Sequence, residues 1–427
     1  MVKEVYVNAQ KKKIPENWSI KTIGDVCEYM AGSTFPKNEQ GNEKGDIPFY
    51  KVSDMNKFRK YMGEANNYIS EKTANDLNVK TCPSGTVIFP KLGQALLTNK
   101  RRVLSRNSAF DNNVAGLMAN EVDADFLYYF LLSLKFDALS NPGTVPSLTK
   151  KAINSIDVIY PSLSEQKTIA SILSSVDKSI ENAVEVIKET KVLKKGLMQE
   201  LLTKGIGNRE FKEVRLGVKK IKIPISWKVK KLKEITKKIS VGIATGATDH
   251  YRDKGVPLIR NTNIKKGYLD DTELKYISPD FDNKNKNKRI RYNDVIIVRT
   301  GYAGLACKVP EKYDGVQTFT TLIVRPLQAV LDSDYLVKNI NSYLGTSQVE
   351  RIQVGGGRSN LNVGNLKDYY LPVPPLEEQK QIASILSSVD SKIKKEEEYK
   401  AKLERLKKGL MQKLLTGEIR VNTDMEV

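Results

Sequence analysis

The chain has 427 residues, too many for one ordinary core, and its 40% hydrophobic content is enough to bury two or more domains. Lys and Arg number 70 against 50 Asp and Glu, and the formal charge of +20 draws such a chain to polyanions through phosphate contacts and counterion release. No run of about 18 apolar residues is present, so a membrane span is not expected. Lys11, Lys12 and Lys13 have no apolar stretch behind them, so neither is a signal peptide.

In chain order, Ile14-Pro15-x-x-Trp18 opens a first block of mixed pattern, residues 1–160. Asp46-Ile47-Pro48 precedes an apolar stretch and then a polar one, Lys51-Val-Ser53-Asp54. Thr86 to Phe89 is β-rich and closes through Lys91 toward Gly93. A basic cluster follows at Lys100, Arg101, Arg102 and Arg106, and Leu127 to Leu134 reads as a helix after Asp123-Ala-Asp125. Residues 161–206 read as one long helix, with Ile169, Leu173, Val176, Ile180, Ala183 and Ile187 stepping by four and three. Pro161 precedes it, Ser162 and Glu165 have capping-box spacing, and Gly205 stands at its end.

A second mixed block, residues 207–373, repeats the same posts. They are Ile223-Pro224-x-x-Trp227, Gly255-Val256-Pro257, Asp294 to Ile297 closing toward Gly301, and Asp332-Ser-Asp334. Its polar stretches are Arg260-Asn261-Thr262-Asn263, Arg299-Thr300, and a run of Lys284, Lys286, Lys288, Arg289 and Arg291 with no acid between them. A second long helix, residues 374–417, places Ile382, Leu386, Val389 and Ile393, then Leu403, Leu406, Leu410 and Leu414, on its seam. Residues 418–427 form a tail.

The helices are near copies. Leu163 to Ile206 aligns without a gap on Leu376 to Ile419, an offset of 213, with 26 of 44 positions identical. The blocks between them match only at the posts, so variable and repeated segments alternate twice. About 40 helical residues at roughly 1.5 Å rise give a rod of ~60 Å. Glu396 and Lys400 fall on the seam, which predicts a coiled coil with a loosened middle. Gly196 and Gly409 interrupt both helices at matching places, where a helical glycine costs about 1 kcal/mol relative to alanine. Close approach of another helix or a partner would account for both, and so would a tolerated surface glycine copied by the duplication. The predicted fold class is α+β: two globular mixed α/β domains separated by two long helices in an antiparallel coiled coil, with an internal pseudo-twofold repeat.

No catalytic constellation stands out. The sequence has no Gly-x-x-x-x-Gly-Lys-Ser/Thr phosphate loop, and the single histidine, His250, has no Cys or His at metal spacing. Cys27, Cys82 and Cys307 form no Cys-x-x-Cys pair, which suits a reducing cytoplasm. Asn141-Pro142-Gly143 lacks the aromatic of an amino-methylating Asn-Pro-Pro-Tyr/Phe motif, Gly355-Gly356-Gly357 reads as a flexible turn, and Asp271-Thr-Glu273-Leu-Lys275 as a solvated turn. The chain is expected to be non-catalytic and to need no cofactor or metal. DNA contact is expected from Lys51, Ser53, Lys91, Lys100, Arg101, Arg102, Arg260, Asn261, Asn263, Lys288, Arg289, Arg291, Arg299 and Thr300. Arginine pairs with guanine edges, asparagine with adenine, and lysine with phosphate. A coiled-coil adaptor, an RNA-binding scaffold, or a single-chain methyltransferase or nuclease with an unrecognised site are the competing readings.

The alternation of variable block and Pro-x-Leu-x-Glu-Gln-x-x-Ile-Ala helix resembles the specificity subunits of type I restriction-modification enzymes. Its carriers are Pro161-Ser-Leu-Ser-Glu165-Gln166-Lys-Thr-Ile169-Ala170 and Pro374-Pro-Leu-Glu-Glu378-Gln379-Lys-Gln-Ile382-Ala383, and the first copy has one proline where the second has two. The resemblance covers essentially the whole chain. It implies two target recognition domains, each reading one half of a split double-stranded DNA site, and two conserved helices that set the spacer. It also implies docking of two methyltransferase subunits and of motor-nuclease subunits, which bring S-adenosylmethionine and ATP. The residues assigned to methyltransferase docking on the helices are Glu165, Gln166, Gly196, Met198, Glu378, Gln379, Gly409 and Met411.

Overall fold

A computed structural model describes residues 2–8, 10–140, 145–217, 219–353 and 360–422. Asn141-Pro142-Gly143 and Gly355-Gly356-Gly357 lie outside these residues. The chain folds into two compact units, Met1–Val184 with Glu398–Val427, and Glu185–Glu397. Each unit therefore combines one variable domain with half of each long helix.

The first domain is built on a four-stranded antiparallel sheet in the order Cys27–Ala31, Val114–Ala119, Val87–Pro90, Arg102–Val103. The second repeats that order with Thr236–Val241, Leu322–Pro326, Val295–Ile297 and Ala306–Lys308. A further parallel pair joins Ile47–Tyr50 to Ala109–Phe110, and Val256–Arg260 to Gln317–Phe319. The Val87–Pro90 and Val295–Ile297 strands are buried throughout, as their unbroken apolar runs require. Each domain also opens with a lysine-rich hairpin, Val2–Val7 with Gln10–Pro15 and Phe211–Leu216 with Lys219–Pro224.

On the sheet of the first domain lies α1 (Ala124–Ser133), capped by the Asp123 side chain on the Phe126 amide, with Phe126 to Leu131 buried. The long helix α2 (Leu163–Leu201) follows. In the second domain α3 (Ser333–Ile340), capped by Asp332, replaces α1, and α4 (Tyr343–Ile352), capped by Ser342, follows it. The last helix is α5 (Leu376–Leu414). Ile169 and Leu173 of α2 share the core of the first unit with Leu414 and Leu415, and Ile382 and Leu386 share that of the second with Leu201 and Leu202. In both units the two helices thus run antiparallel, and each buried Leu or Ile contributes roughly 1.5–3 kcal/mol.

Two polar junctions, each built twice, fasten domain to helix. At the first, the Trp18 indole donates to Glu165 Oε2 at 3.0 Å, and the Trp227 indole to Glu378 Oε2 at 3.0 Å. Beside them Gln166 Oε1 accepts the Asp123 amide at 2.8 Å while its Nε2 donates to Pro161 O; Gln379 does the same to Asp332 and Pro374. Arg420 adds a pair to Glu165 Oε1, and the Ile206 amide and Asn208 fill that place on Glu378. Ser162 caps the Glu165 amide at 3.3 Å, but the Glu165 carboxylate turns to Trp18 instead of completing the expected box. Gly205 and Gly417 stand beside the two indoles in left-handed conformation, where a Cβ would press on Glu378 and Trp227, or on Pro15 and Trp18.

At the second junction Asp177 accepts from Tyr129 Oη at 2.7 Å and from Lys407, and Asp390 from Lys338 at 2.6 Å and from Lys194. Burial works against ionising Asp390, but the bonds from Lys194 and Lys338 outweigh it and hold the carboxyl below its ordinary range.

These contacts correct three expectations. Gln166 and Gln379 are fully buried, Glu165 is 3% exposed, and Glu378 is half-buried under Trp227. All four side chains are bonded to partners inside the chain, so the surface role expected of them is corrected to a fastening of domain to helix. At Gly196 and Gly409 an added Cβ would meet nothing within 4 Å, so no helix of this chain approaches closely there. Leu406 is 50% exposed and its counterpart Leu193 56%, because the seam passes one residue further on, through Lys407 and Lys194.

Candidate nucleic-acid interface

In the second unit the turn after Val256–Arg260 meets the loop after Val295–Ile297. Asn263 is buried, accepts the Arg260 amide at 3.0 Å and donates to Asp270 O; Asp54 accepts the Lys51 amide at the equivalent turn. Asn263 therefore shapes the turn, and its expected base contact is corrected: none of its polar atoms is left to read with.

Asn261 bridges outward, accepting the Arg299 amide at 3.3 Å and donating to Thr300 Oγ1 at 3.2 Å. Arg299 Nε donates to Asn360 Oδ1 at 3.2 Å, and Arg260 Nη2 to Glu273 O at 3.3 Å. Among the described residues the terminal nitrogens of Arg299 have no acceptor, and Arg260 Nε is also without one. Arg260, Asn261, Arg299 and the exposed Thr300 thus converge on one edge, with the Arg299 guanidinium oriented by Asn360 and its terminal nitrogens placed to donate to a planar partner.

The first unit has the same edge with different residues. Lys91 donates its amide to Asn113 O and accepts the Leu148 amide, just as Arg299 O accepts the Leu361 amide. Lys51 lies over the Phe35 ring, 3.8 Å from its centroid, and Ser53 is exposed on the turn. The Asp111 amide ties this turn to Tyr50 O, which brings Lys51 and Lys91 to either side of Asp111–Asn113.

The remaining basic residues lie elsewhere. Arg101 is fully buried, its guanidinium 3.6 Å from the Phe136 centroid and bonded only to Lys100 O and Asn99, with Nε unsatisfied. Burial lowers it to about 9. Its expected DNA contact is corrected, since it cannot reach solvent. Arg102 is half-buried and lines an open cleft with Tyr128, and Lys100 is half-buried beside Arg101.

Lys284 ends the helix Pro279–Lys284, and Arg289 forks onto buried Asp282 with Nε at 3.0 Å from Oδ1. Arg291 lies 3.5 Å from Asp314. Asp282 also accepts from Gln317, so this ordered segment meets the opposite end of the strand from Asn261 and Thr320. Lys288 is half-buried there, away from the Arg260 to Thr300 edge. Met198 and Met411 are half-buried on cavity walls, Met411 in the first unit and Met198 in the second.

Asn360, Thr320 and Asp111 were not expected at these edges. The paired dipeptides Ser147-Leu148 and Asn360-Leu361, again 213 apart, were the available signal. His250 stacks on Phe281 at 3.9 Å, and Asp271 pairs with Lys312 and Tyr313. Among the described residues no group of three His, Cys, Asp or Glu is placed to hold a metal, and no helix is long and apolar enough to cross a membrane.

A family model described as "Type I restriction modification DNA specificity domain" matches residues 15–189 and 224–405, opening both times at the proline three residues before the buried tryptophan, Pro15 before Trp18 and Pro224 before Trp227. The chain belongs to this family. It is 26% identical over 426 residues to the type I restriction enzyme MjaVIII specificity subunit of Methanocaldococcus jannaschii, covering 96% of this chain and 94% of the relative. It is 22% identical over 428 residues to the EcoBI specificity subunit of Escherichia coli, covering 95% and 87%. The crystal structure of the type I restriction-modification S subunit from M. genitalium shares the fold with a TM-score of 0.58 at 15% identity, over 93% of this chain and 96% of that one. Specificity subunits of this family thus match nearly the whole length of the chain, and each family segment spans one variable domain and most of the long helix that follows it.

Proposed function

We propose that this chain is the reading subunit of a type I restriction-modification enzyme: it binds a two-part, asymmetric duplex target, presents an adenine for methylation, and has no catalytic centre of its own. One observation carries the reading. Two domains with the same strand order and the same Trp–Glu and Gln junctions carry different residues at the same edge, Lys51 and Lys91 in one, Arg260, Asn261, Arg299 and Thr300 in the other. Equal frames with unequal edges are what reading two unlike half-sites requires.

The antiparallel helices then serve as the spacer ruler, in the way that dimer geometry fixes half-site separation elsewhere. Methyltransferase and motor-nuclease subunits supply the chemistry with S-adenosylmethionine and ATP. Two methyltransferase copies dock on the repeated helix faces, where Leu193 and Leu406 are exposed and Gly196 and Gly409 have open space above them. The compartment that fits is the cytoplasm.

The test is binding of labelled DNA and RNA duplexes by the chain in complex with its methyltransferase subunit, across a salt series. A steep fall of log K with log salt on DNA, together with a preference over RNA, supports the reading. Salt-independent or RNA-preferring binding overturns it.

A further inference from the structure

Each unit has an open cleft beside its variable domain, and equivalent residues of the repeat line one side of each. Lys194-Lys195, Met198-Gln199 and Leu202-Thr203 line one in the second unit; Lys407-Lys408, Met411-Gln412 and Leu415-Thr416 line the other in the first. The rest of the lining differs sharply in charge. The first cavity also presents Asp157, Asp177, Glu181 and Glu404. The second presents no carboxylate: Lys191 stands where the first has Glu404, and Lys204, Lys222 and Lys266 bring the lining to six lysines.

Three of these are neutralised from outside the lining, Lys191 by Glu397, Lys194 by Asp390 and Lys204 by Glu200. Lys195, Lys222 and Lys266 have no ion-pair partner among the described residues. Burial, and then the charge of Lys194, lower the Lys266 ammonium from its ordinary value. The first turn of α4 faces the same space, with Ser342, Tyr343 and Leu344 on the wall and the Ser342 hydroxyl occupied by the Gly345 amide. A helix start adds partial positive charge to that of the lysines. Met198, Leu202, Ile221 and Leu344 supply an apolar floor, and Tyr343 is 76% exposed.

The volume, about 860 Å³, falls in the range of small-molecule sites and far exceeds a single oxyanion. Lys195, Lys222 and Lys266 are exposed around this one concave space, and a multivalent anion seated there would pair with all three at once. We propose that this cavity of the second unit binds a small polyphosphate, free or carried on a nucleoside, and that its counterpart in the first unit does not. Because Lys194 both lines the cavity and holds Asp390, the bound anion would compete for the junction that fastens the second domain to its helices.

Calorimetric titration of the full chain with tripolyphosphate and with ATP, both free of divalent metal, tests this. The expected result is one saturable site, weakened at least tenfold by Lys222→Gln with Lys266→Gln, weakened also by Lys195→Gln, and unchanged by Lys408→Gln in the first cavity. Tighter binding of ATP than of tripolyphosphate would assign a nucleoside carrier, and equal binding the phosphate chain alone. No saturable heat, or several weak sites untouched by the variants, would overturn the proposal. So would displacement by duplex DNA whose own binding falls equally in the same variants, since the lysines would then belong to a DNA track.

Discussion

Glu165→Ala tests whether the Glu-Gln pair of the repeat is a fastening or a docking surface. Trp18 is 1% exposed and Glu165 3%, so the substitution leaves a buried indole N–H without an acceptor. A hydrogen bond to a charged group is worth about 1.5–3 kcal/mol, and stranding the donor adds its desolvation. The Arg420 side chain is 44% exposed, so its pair with Glu165 adds only a few tenths to about 1 kcal/mol. The loss comes to about 3 kcal/mol, and at 2–4 °C per kcal/mol for a unit of this size the first unit should melt roughly 6–12 °C lower. The chain has two tryptophans, one at each junction, so in a Trp227→Phe background the fluorescence melt reports the first unit alone. Glu165→Gln keeps an acceptor for the indole and should lose about 1 kcal/mol. An unchanged melting curve accompanied by loss of partner assembly would refute this reasoning and return Glu165 to the surface role expected from sequence.

Gln166→Leu and Gln379→Leu each strand a helix-capping aspartate amide and a proline carbonyl, and should each cost about 2–3 kcal/mol, measured by urea unfolding. Arg101→Met removes a buried charge with no carboxylate partner and should leave stability unchanged or raised and DNA affinity unaltered; a loss of affinity would restore Arg101 to the interface. Arg299→Ala should impair recognition at one half-site only, and equal weakening on random duplex would reduce it to a phosphate contact. The Asp390 carboxyl lies below its unfolded value of about 4, so its contribution is present above that pH and is lost as pH falls through the folded value. Unfolding followed at Trp227 should therefore weaken below about pH 4 in the wild type and show a flatter acid limb in Asp390→Asn.

The duplication was legible because 26 identities at a constant offset need no three-dimensional knowledge, and strand runs such as Val87 to Phe89 announce themselves by burial on both faces. The junctions were not legible. Trp18 and Glu165 are 147 residues apart, and in sequence a repeated Glu-Gln pair at a helix start reads as a docking motif. Arg101 misled for the same reason, since a Lys-Arg-Arg run looks exposed until Phe136 is placed against it. The opening hairpins escaped notice because their outer faces are lysine-rich and only Val7, Ile14 and Pro15 are buried in the first of them. The candidate edges were half visible: Arg260, Asn261 and Arg299 stood out as residue types, while their convergence with Asn360 depends on parallel pairing of distant strands.

The most direct measurement of the central claim is a methylome. The chain is expressed with a methyltransferase subunit encoded beside it, and methyl-adenine on host DNA is located by direct long-read sequencing. The account predicts one split motif with two unlike halves that disappears when this chain is omitted, and whose one half alone changes when the residues of the Arg260 to Thr300 edge are replaced. Methylation that persists without the chain, or a motif untouched by those replacements, would contradict it.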